Sequence, residues 1–336
     1  MVNIAQAGVG YWGPNLLRNL VTNGRCSVRT VVDPSVERQH YVKSIYPKVD
    51  VTGDFEEICR NPEIDAVIIS TPVATHYELA IKALKAGKHI LVEKPLARSV
   101  REVEEIGEAA LKSGRIAMVG HTFLFNAAVR YIKKLIDSGD LGDIRYIYSQ
   151  RLNLGRIRSD VDALWNFAPH DISIIQYWLG DPTPSSIVKR GVAYVQENID
   201  DVVFLNLIYP DRVMANIHVS WLDPHRVRSM VVVGSKQMVV YDDVAENKVA
   251  IFDKGIDIKA ALGQNMDYDN QHFKAFDHRS GDVLLPKINF VEPLKMEIDH
   301  FLDCIENGTA CIAGIDHAKK VVGILEEASN SDRKTV

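Results

Sequence analysis

The sequence predicts an α/β protein with an N-terminal doubly wound parallel sheet (a Rossmann arrangement) and a C-terminal α/β domain built on an open, mostly antiparallel sheet. Three observations carry this expectation. From residue 1 to about 120, short Val- and Ile-rich runs alternate with longer amphipathic ones, as in βα units whose strands are covered on both faces. The first run ends in a glycine-rich turn that opens a helix. After Gly142 the texture changes to alternating strands without regularly spaced helices. The division places one domain at 1–122 and a second at 123–336.

Length and composition agree with two domains. The chain has 336 residues, of which 46% are hydrophobic and 25% charged, enough for two separate cores. With 44 acidic against 39 basic side chains the formal charge is −5, so no overall basic field points to nucleic acid or a membrane surface. The four cysteines, Cys26, Cys59, Cys304 and Cys311, form no C-x-x-C pair. They fit buried thiols in a reducing compartment better than a disulfide framework. Residues 2–7 run straight into the glycine turn without the pattern of a signal peptide, and no apolar stretch of about 18 residues occurs. A soluble, cytoplasmic protein is expected.

In order along the chain, strands are expected at 4–8, 28–33, 66–70, 89–92 and 116–119. Helices at 13–22 and 75–86 carry apolar stripes through Leu16, Leu17, Leu20 and Val21, and through Leu79, Ala80, Ala83 and Leu84. Gly24 and Gly87 are the expected C-terminal caps. Ser99 with Glu102 reads as a capping box opening a helix that Gly114 ends. In the second domain an alternating strand is expected at 144–150, and strands at 202–209, 213–220, 226–233, 238–241 and 248–252 follow each other as a meander. Helices are expected at 169–179, with Pro169 in its first turn and Asp171 as a helix-starting charge, at 293–306 and at 317–329. The stretch 255–287 is the least periodic and reads as a long excursion without an assigned role.

Four features carry chemistry. The turn Gly8-Val9-Gly10-Tyr11-Trp12-Gly13 leaves a strand and opens a helix, the setting in which G-x-G-x-x-G binds a dinucleotide pyrophosphate at the helix N-terminus. About 20 residues further on, Asp33 ends the next strand where the adenosine ribose hydroxyls are expected. That acid favours NAD over NADP, against the nearby Arg38, which suits a 2′-phosphate. Ser70, Thr71 and Pro72 end a later strand and should face the cofactor, with His76 a helix-surface residue near the same site. Glu93, Lys94 and Pro95 follow another strand end, and a cis Lys94–Pro95 bond would turn the lysine toward the nicotinamide. Finally, Trp165, Asn166 and His170 lie in the segment entering the second-domain helix, and His170 has the near-neutral pKa of a general base.

Together GVGYWG, STPVATH, EKP and APHD resemble the Gfo/Idh/MocA family of nicotinamide-dependent sugar oxidoreductases over essentially the whole chain. The resemblance implies that Lys94 positions the substrate hydroxyl and assists proton transfer, and that His170 is the base or acid. Many members carry Asp four residues before that histidine, where this chain has Asn166, which cannot take a proton. The segments around Tyr11-Trp12-Gly13-Pro14-Asn15 and 151–156 look like the nucleotide-sugar branch, UDP-N-acetylglucosamine 3-dehydrogenases in particular. There Arg151, Arg156 and Arg158, with the loop Trp221 to Arg226 that includes His225, are the expected cations for a diphosphate. The implied reaction is NAD-dependent oxidation of the 3-hydroxyl of a UDP-linked N-acetylated sugar. Alternatives are a UDP-N-acetylglucosaminuronate, a free sugar or polyol, and an NAD-using glycoside hydrolase. No metal is expected. The family also implies a homodimer or homotetramer through the exposed face of the second sheet, which would cover residues such as Val231 and Val239.

Overall fold

The structure is a computed structural model that describes residues 1–260 and 274–331. Two compact units are present. The first comprises Met1–Ala127, Pro169–Asp181 and Phe290–Val336, and the second Ala128–Ala168 and Pro182–Asn289.

The first unit runs β1 (Val2–Ala7), α1 (Gly13–Thr22), β2 (Cys26–Val32), α2 (Val36–Ile45), β3 (Asp50–Thr52), α3 (Phe55–Arg60), β4 (Ala66–Ile69), α4 (Val73–Lys85), β5 (His89–Glu93), α5 (Val100–Ser113) and β6 (Ala117–Gly120). Its six strands are all parallel, in the order β3-β2-β1-β4-β5-β6. Every residue of β4 is buried, which is why the central strand reads as an uninterrupted apolar run. The five expected strands and three helices are present. Ser99 Oγ accepts the Glu102 amide at 3.3 Å and Gly114 takes φ 64°, as the capping signals require. Gly24 is not a cap: α1 closes at Asn23, whose Oδ1 accepts the Arg25 amide at 2.9 Å. The sequence reading missed β3, α2 and α3. These are short or bury a single residue each, Val42 in α2 and Ile58 in α3, so they show no apolar stripe.

Where the sequence suggested a cut at residue 122, the C-terminal helices return to the first unit. Helix α6 (Ala127–Asp137) and strand β7 (Ile144–Leu154) follow β6, and α7 (Ala163–Leu179) follows them; the chain ends with α8 (Pro293–Asn307) and α9 (Ile315–Ser331). Leu294, Ile298, Phe301 and Leu302 of α8 join Val2, Ile4, Leu16, Leu17 and Leu20 in one buried cluster. Burying such side chains stabilises by about 2 kcal/mol each, which outweighs sequence proximity in deciding where α8 packs. Helix α7 also begins earlier than expected. Asp162 Oδ1 accepts the Trp165 amide at 2.9 Å and caps the helix seven residues before Pro169. Pro169 therefore sits inside α7, and Asp171 is a buried residue of its middle rather than a charge at its start.

The second unit holds β7 with β8 (Ser186–Val192), β9 (Val202–Ile208), β10 (Met214–Ser220), β11 (Leu222–Gly234), β12 (Met238–Asp242), β13 (Val249–Ala260) and β14 (Lys274–Leu284). Their order is β14-β13-β12-β11-β7-β10-β9-β8. This is not a simple meander, because β7 lies between β10 and β11, parallel to the first and antiparallel to the second. The crossing is made at Trp221, whose carbonyl accepts the Gly155 amide at 3.1 Å just beyond β7. The supposed loop from Trp221 is thus mostly strand. Within 255–287 the structure shows the β13–β14 ladder, with Ile256 opposite His278; residues 261–273 of that stretch lie outside those described. Val239 is fully buried opposite Val232, so it is not on the open face. Half-buried Val231, level with Tyr148 and Asn216 in the register, is on that face, which also carries Val188, Phe204, Ile208 and Met214.

Asp201 anchors this unit. Its buried carboxylate accepts the Tyr194 and Val195 amides at 2.6 and 2.8 Å and the Trp221 indole N–H. Replacing it by alanine leaves the buried Trp221 indole N–H unpaired, costing roughly 1–3 kcal/mol, and frees two part-buried amides of exposed residues. Asp201→Ala should lower the unfolding free energy by about 2 kcal/mol in urea titrations, whereas a loss under about 0.5 kcal/mol would show that this carboxylate is dispensable.

Candidate functional site

Because the six strands of the first unit are parallel, their carboxyl ends share one edge, and the residues following them gather there. After β1, Gly8 takes φ 90° and its backbone touches β4: a Cβ would stand 2.7 Å from Ser70 O. A Cβ on Gly13 would stand 2.6 Å from Gly8 O, so helix and turn also pack directly. Gly10 has no atom within 4 Å of its Cβ position, leaving backbone open to a ligand. Tyr11 is 90% exposed and Trp12 partly so. The first glycine makes the turn, the third packs the helix and the second gives access, which fits a pyrophosphate at the start of α1.

The turn is held from below by Gln6, which the motif does not include. Its Nε2 donates to Gly8 O at 3.0 Å and Gly13 O at 2.9 Å. An amide side chain within the apolar end of β1 was the signal available for it. Ser70 Oγ donates to Gly8 O at 2.8 Å, so this hydroxyl serves the turn. Thr71 Oγ1 and Thr75 Oγ1 share a 2.7 Å hydrogen bond, with Pro72 at the start of α4. Asp33, buried at the end of β2, accepts the Val9 amide at 2.9 Å and the Ser35 amide at 3.0 Å. Arg38 Nη1 is 3.4 Å from Asp33 Oδ2. The carboxylate therefore fixes the turn and holds the arginine, with lone pairs remaining for ribose hydroxyls.

His76 is buried, not a surface residue. Its Nδ1 lies 2.9 Å from Pro95 O and its Nε2 2.8 Å from Thr71 O, tying together the two loops after β4 and β5. Burial lowers its pKa. Both nitrogens are engaged with backbone, so its part is to brace the edge. The Lys94–Pro95 bond is cis, as expected. Glu93 Oε2 accepts the Lys94 amide at 3.2 Å and the carboxyl also bonds the Trp12 side chain. Although Glu93 as a residue is only partly covered, its Oε1 is enclosed, 3.1 Å from where Gly120 would carry a Cβ. This enclosure raises its pKa to about 7, over the opposing attraction of Lys94.

Several groups at this edge escaped the sequence reading. Glu297 of α8 is buried and accepts the Thr122 hydroxyl at 3.0 Å; burial, then the neighbouring Glu93, push its pKa well above the ordinary value. His121, just after β6, is held far below the usual histidine pKa by burial, with the charges of His317 and Lys94 adding. Its ring meets His317 edge-on at 5.3 Å. His317 is itself bonded at 2.8 Å to both Ser173 Oγ and Asp181 Oδ1, fastening α9 to the second half of α7. A carboxylate in the apolar stripe of α8 was the visible clue to Glu297. The histidines gave none, since only the sheet brings them together.

His170 belongs to this first unit through α7, its ring edge-on to Phe123 at 5.1 Å. Lys94 and His170 therefore lie in one compact body. Trp165 and Asn166 are half-buried in the first half of α7, with Asn166 one turn before His170. In the second unit Arg151 is buried on β7 directly opposite Arg228 of β11, while His225 and Arg226 are exposed where the β11 register shifts. Burial and the charges of Arg151 and Arg226 lower the Arg228 pKa, although Asp243 lies 3.5 Å away. Arg158 is paired with Asp160 at 2.5 Å and Arg156 is exposed, so the cationic concentration is Arg151, Arg226 and Arg228 rather than the expected trio. Trp221 is buried on Asp201 and serves the fold.

Comparison with known proteins agrees with this geometry. Residues 2–121 match the family described as oxidoreductase family, NAD-binding Rossmann fold, and residues 129–240 match the GFO/IDH/MocA C-terminal domain. The chain is 31% identical over 199 residues to 4-carboxy-2-hydroxymuconate-6-semialdehyde dehydrogenase of a Sphingobium species, covering 57% of this chain and 63% of that protein. It is 27% identical to scyllo-inositol 2-dehydrogenase (NAD(+)) of Bacillus subtilis, covering 99% of this chain and 94% of that one. Among solved structures, UDP-N-acetylglucosamine 3-dehydrogenase of Acidithiobacillus ferrooxidans has the same fold, with TM-score 0.81, 20% identity and coverage of 98% and 97%. The chain spans about three fifths of the length of the curated relatives it first matches. Among the described residues no helix is long and apolar enough to cross a membrane.

The buried acids make stability depend on pH. In the unfolded chain Glu93 ionises near 4.5, whereas the folded chain keeps its proton up to about 7. The folded state thus binds more protons across this window, and stability falls as pH rises from about 4.5 to about 7 and on through the ionisation of Glu297. Glu93→Gln should flatten the part of that slope below about pH 7 in urea titrations at a series of pH values. Parallel slopes for the variant and the parent would disprove it.

Proposed function

Given that the chain belongs to the Gfo/Idh/MocA oxidoreductase family, we propose that it is an NAD(P)-dependent dehydrogenase oxidising a secondary hydroxyl of a sugar or polyol. The observation that carries this reading is the joining of the glycine turn, Lys94 and His170 in one compact unit. Gly8, Gly10, Gly13 and the start of α1 would hold the pyrophosphate, and Asp33 the adenosine ribose. The buried Asp33, already holding Arg38, favours NAD over NADP. Bound dinucleotide supplies the hydride acceptor. His170 takes the hydroxyl proton, and the Lys94 ammonium stabilises the developing alkoxide. With Asn166 one turn before it, His170 has no carboxylate there to pass the proton to.

The finer reading is a UDP-linked N-acetylated sugar, UDP-N-acetylglucosamine foremost, oxidised at its 3-hydroxyl to the 3-keto sugar. Like charges facing each other across an antiparallel pair are destabilising, and Arg151 and Arg228 do so. A diphosphate would relieve that repulsion through bidentate contacts. Full-length likeness to an inositol dehydrogenase favours the second reading, a free polyol. The protein acts as a homo-oligomer through the second-sheet face carrying Phe204, which stacks on His218 at 4.1 Å, together with Ile208 and Met214.

NADH formation with UDP-N-acetylglucosamine and with scyllo-inositol separates the substrates, and a hydrolase that returns its hydride forms no net NADH. Lys94→Ala and His170→Asn should each lower kcat by about 10²–10⁴ with NAD affinity unchanged. Wild-type turnover in both variants would refute the mechanism. Arg228→Ala should raise KM for the nucleotide sugar alone; oxidation of the polyol and not the nucleotide sugar would establish the second reading instead.

A further inference from the structure

Helix α8 carries a cluster that the proposed reaction does not use. His300 and Cys304 are four residues apart, so one helical turn brings both to the same face. His300 Nε2 and Cys304 Sγ are 3.5 Å apart. Cys311 reaches them from the segment leading to α9, and the three ligand atoms all lie within 4.8 Å of one another. Cys304 is buried, while His300 and Cys311 are half-covered and within reach of solvent.

We propose that His300, Cys304 and Cys311 form a binding site for a thiophilic divalent cation such as zinc(II), with a water completing four-coordination. A tetrahedral zinc bound at about 2.3 Å to sulfur and about 2.0 Å to nitrogen spaces its ligand atoms by roughly 3.5–3.8 Å. The helix pair already has that spacing at 3.5 Å, and with all three atoms within 4.8 Å of one another, closure by roughly 1 Å completes the set. The imidazole is in the right tautomer. The Ile312 amide donates to His300 Nε2 at 3.2 Å, so this nitrogen carries a lone pair, and the cation replaces the amide as its partner. Two thiolates and a neutral imidazole balance the 2+ charge, and binding releases two protons from the thiols.

The consequence is mechanical. Ala313 O, two residues beyond Cys311, accepts the Val119 amide of β6 at 2.8 Å, and His300 packs on Phe125 at 5.3 Å. A bound cation would therefore fasten α8 to the strand whose end bears His121.

The test uses the reduced, chelator-treated full chain and cobalt(II) or zinc(II) salts. Cobalt(II) should bind at one equivalent with the intense visible bands of four-coordination and a near-ultraviolet thiolate-to-cobalt band, displaced by zinc(II). Affinity should rise with pH, since protons leave on binding. His300→Gln should weaken binding by more than about tenfold, the loss that even outer groups cause. The Cys304→Ser/Cys311→Ser variant should abolish the thiolate band. Should that variant unfold, alkylation of the native chain decides: zinc(II) should protect half-covered Cys311 while leaving half-exposed Cys59 reactive. A pale six-coordinate cobalt spectrum without the thiolate band, or no protection of Cys311, overturns the proposal.

Discussion

At Gly8 the backbone of β1 turns within van der Waals contact of Ser70, and any side chain there would collide with the β4 carbonyl. The ends of the two central strands can meet only because that side chain is missing. The meeting lets Gln6 and the Ser70 hydroxyl bond the turn from beneath, and lets Asp33 receive the Val9 amide from the side. With the turn so held, α1 starts at a defined point and its unpaired amides face the same edge as the loops after β4, β5 and β6. The later side chains of that edge, Lys94 and His121 among them, take their positions from strands registered against this pair.

The edge is electrostatically unusual for the same reason. Packing β5, β6 and α8 tightly excludes water from Glu93, Glu297 and His121, and each moves toward its neutral form. Perturbed titrations gathered in one place are a common mark of functional sites, and here Glu93 and His121 both interact with Lys94. His76 and His317 show the other use of buried histidine, each bonding two partners from separate segments of chain.

Much of this was legible in the residues, and the reasons differ by feature. The parallel strands announce themselves because burial on both faces demands unbroken Val and Ile runs, and the glycine motif because no other residue satisfies its contacts. Local hydrogen bonding likewise made the Ser99 cap readable. By contrast, the start of α7 was misplaced because a proline reads as a helix opening, although Asp162 caps the helix earlier and Pro169 is carried inside it. The order of the second sheet was misread as a meander because adjacency in sequence does not reveal that β7 lies between β10 and β11. Arg151 was singled out, yet its facing partner Arg228 could be found only from that register.

Local chemistry was enough to establish the strand runs, the glycine turn and the Ser99 and Gly114 caps, and to single out Lys94 and His170 as candidates, since each depends on neighbours a few residues away. Pairings across long stretches of chain needed the tertiary structure. The return of α8 and α9 to the first unit, the burial of Glu93 beside Glu297, the His121–His317–Asp181 contacts and the meeting of His300 and Cys304 with Cys311 were settled by which apolar faces pack together. Hydrophobic burial is non-directional and indifferent to sequence separation, so no motif can record which partners it brings together.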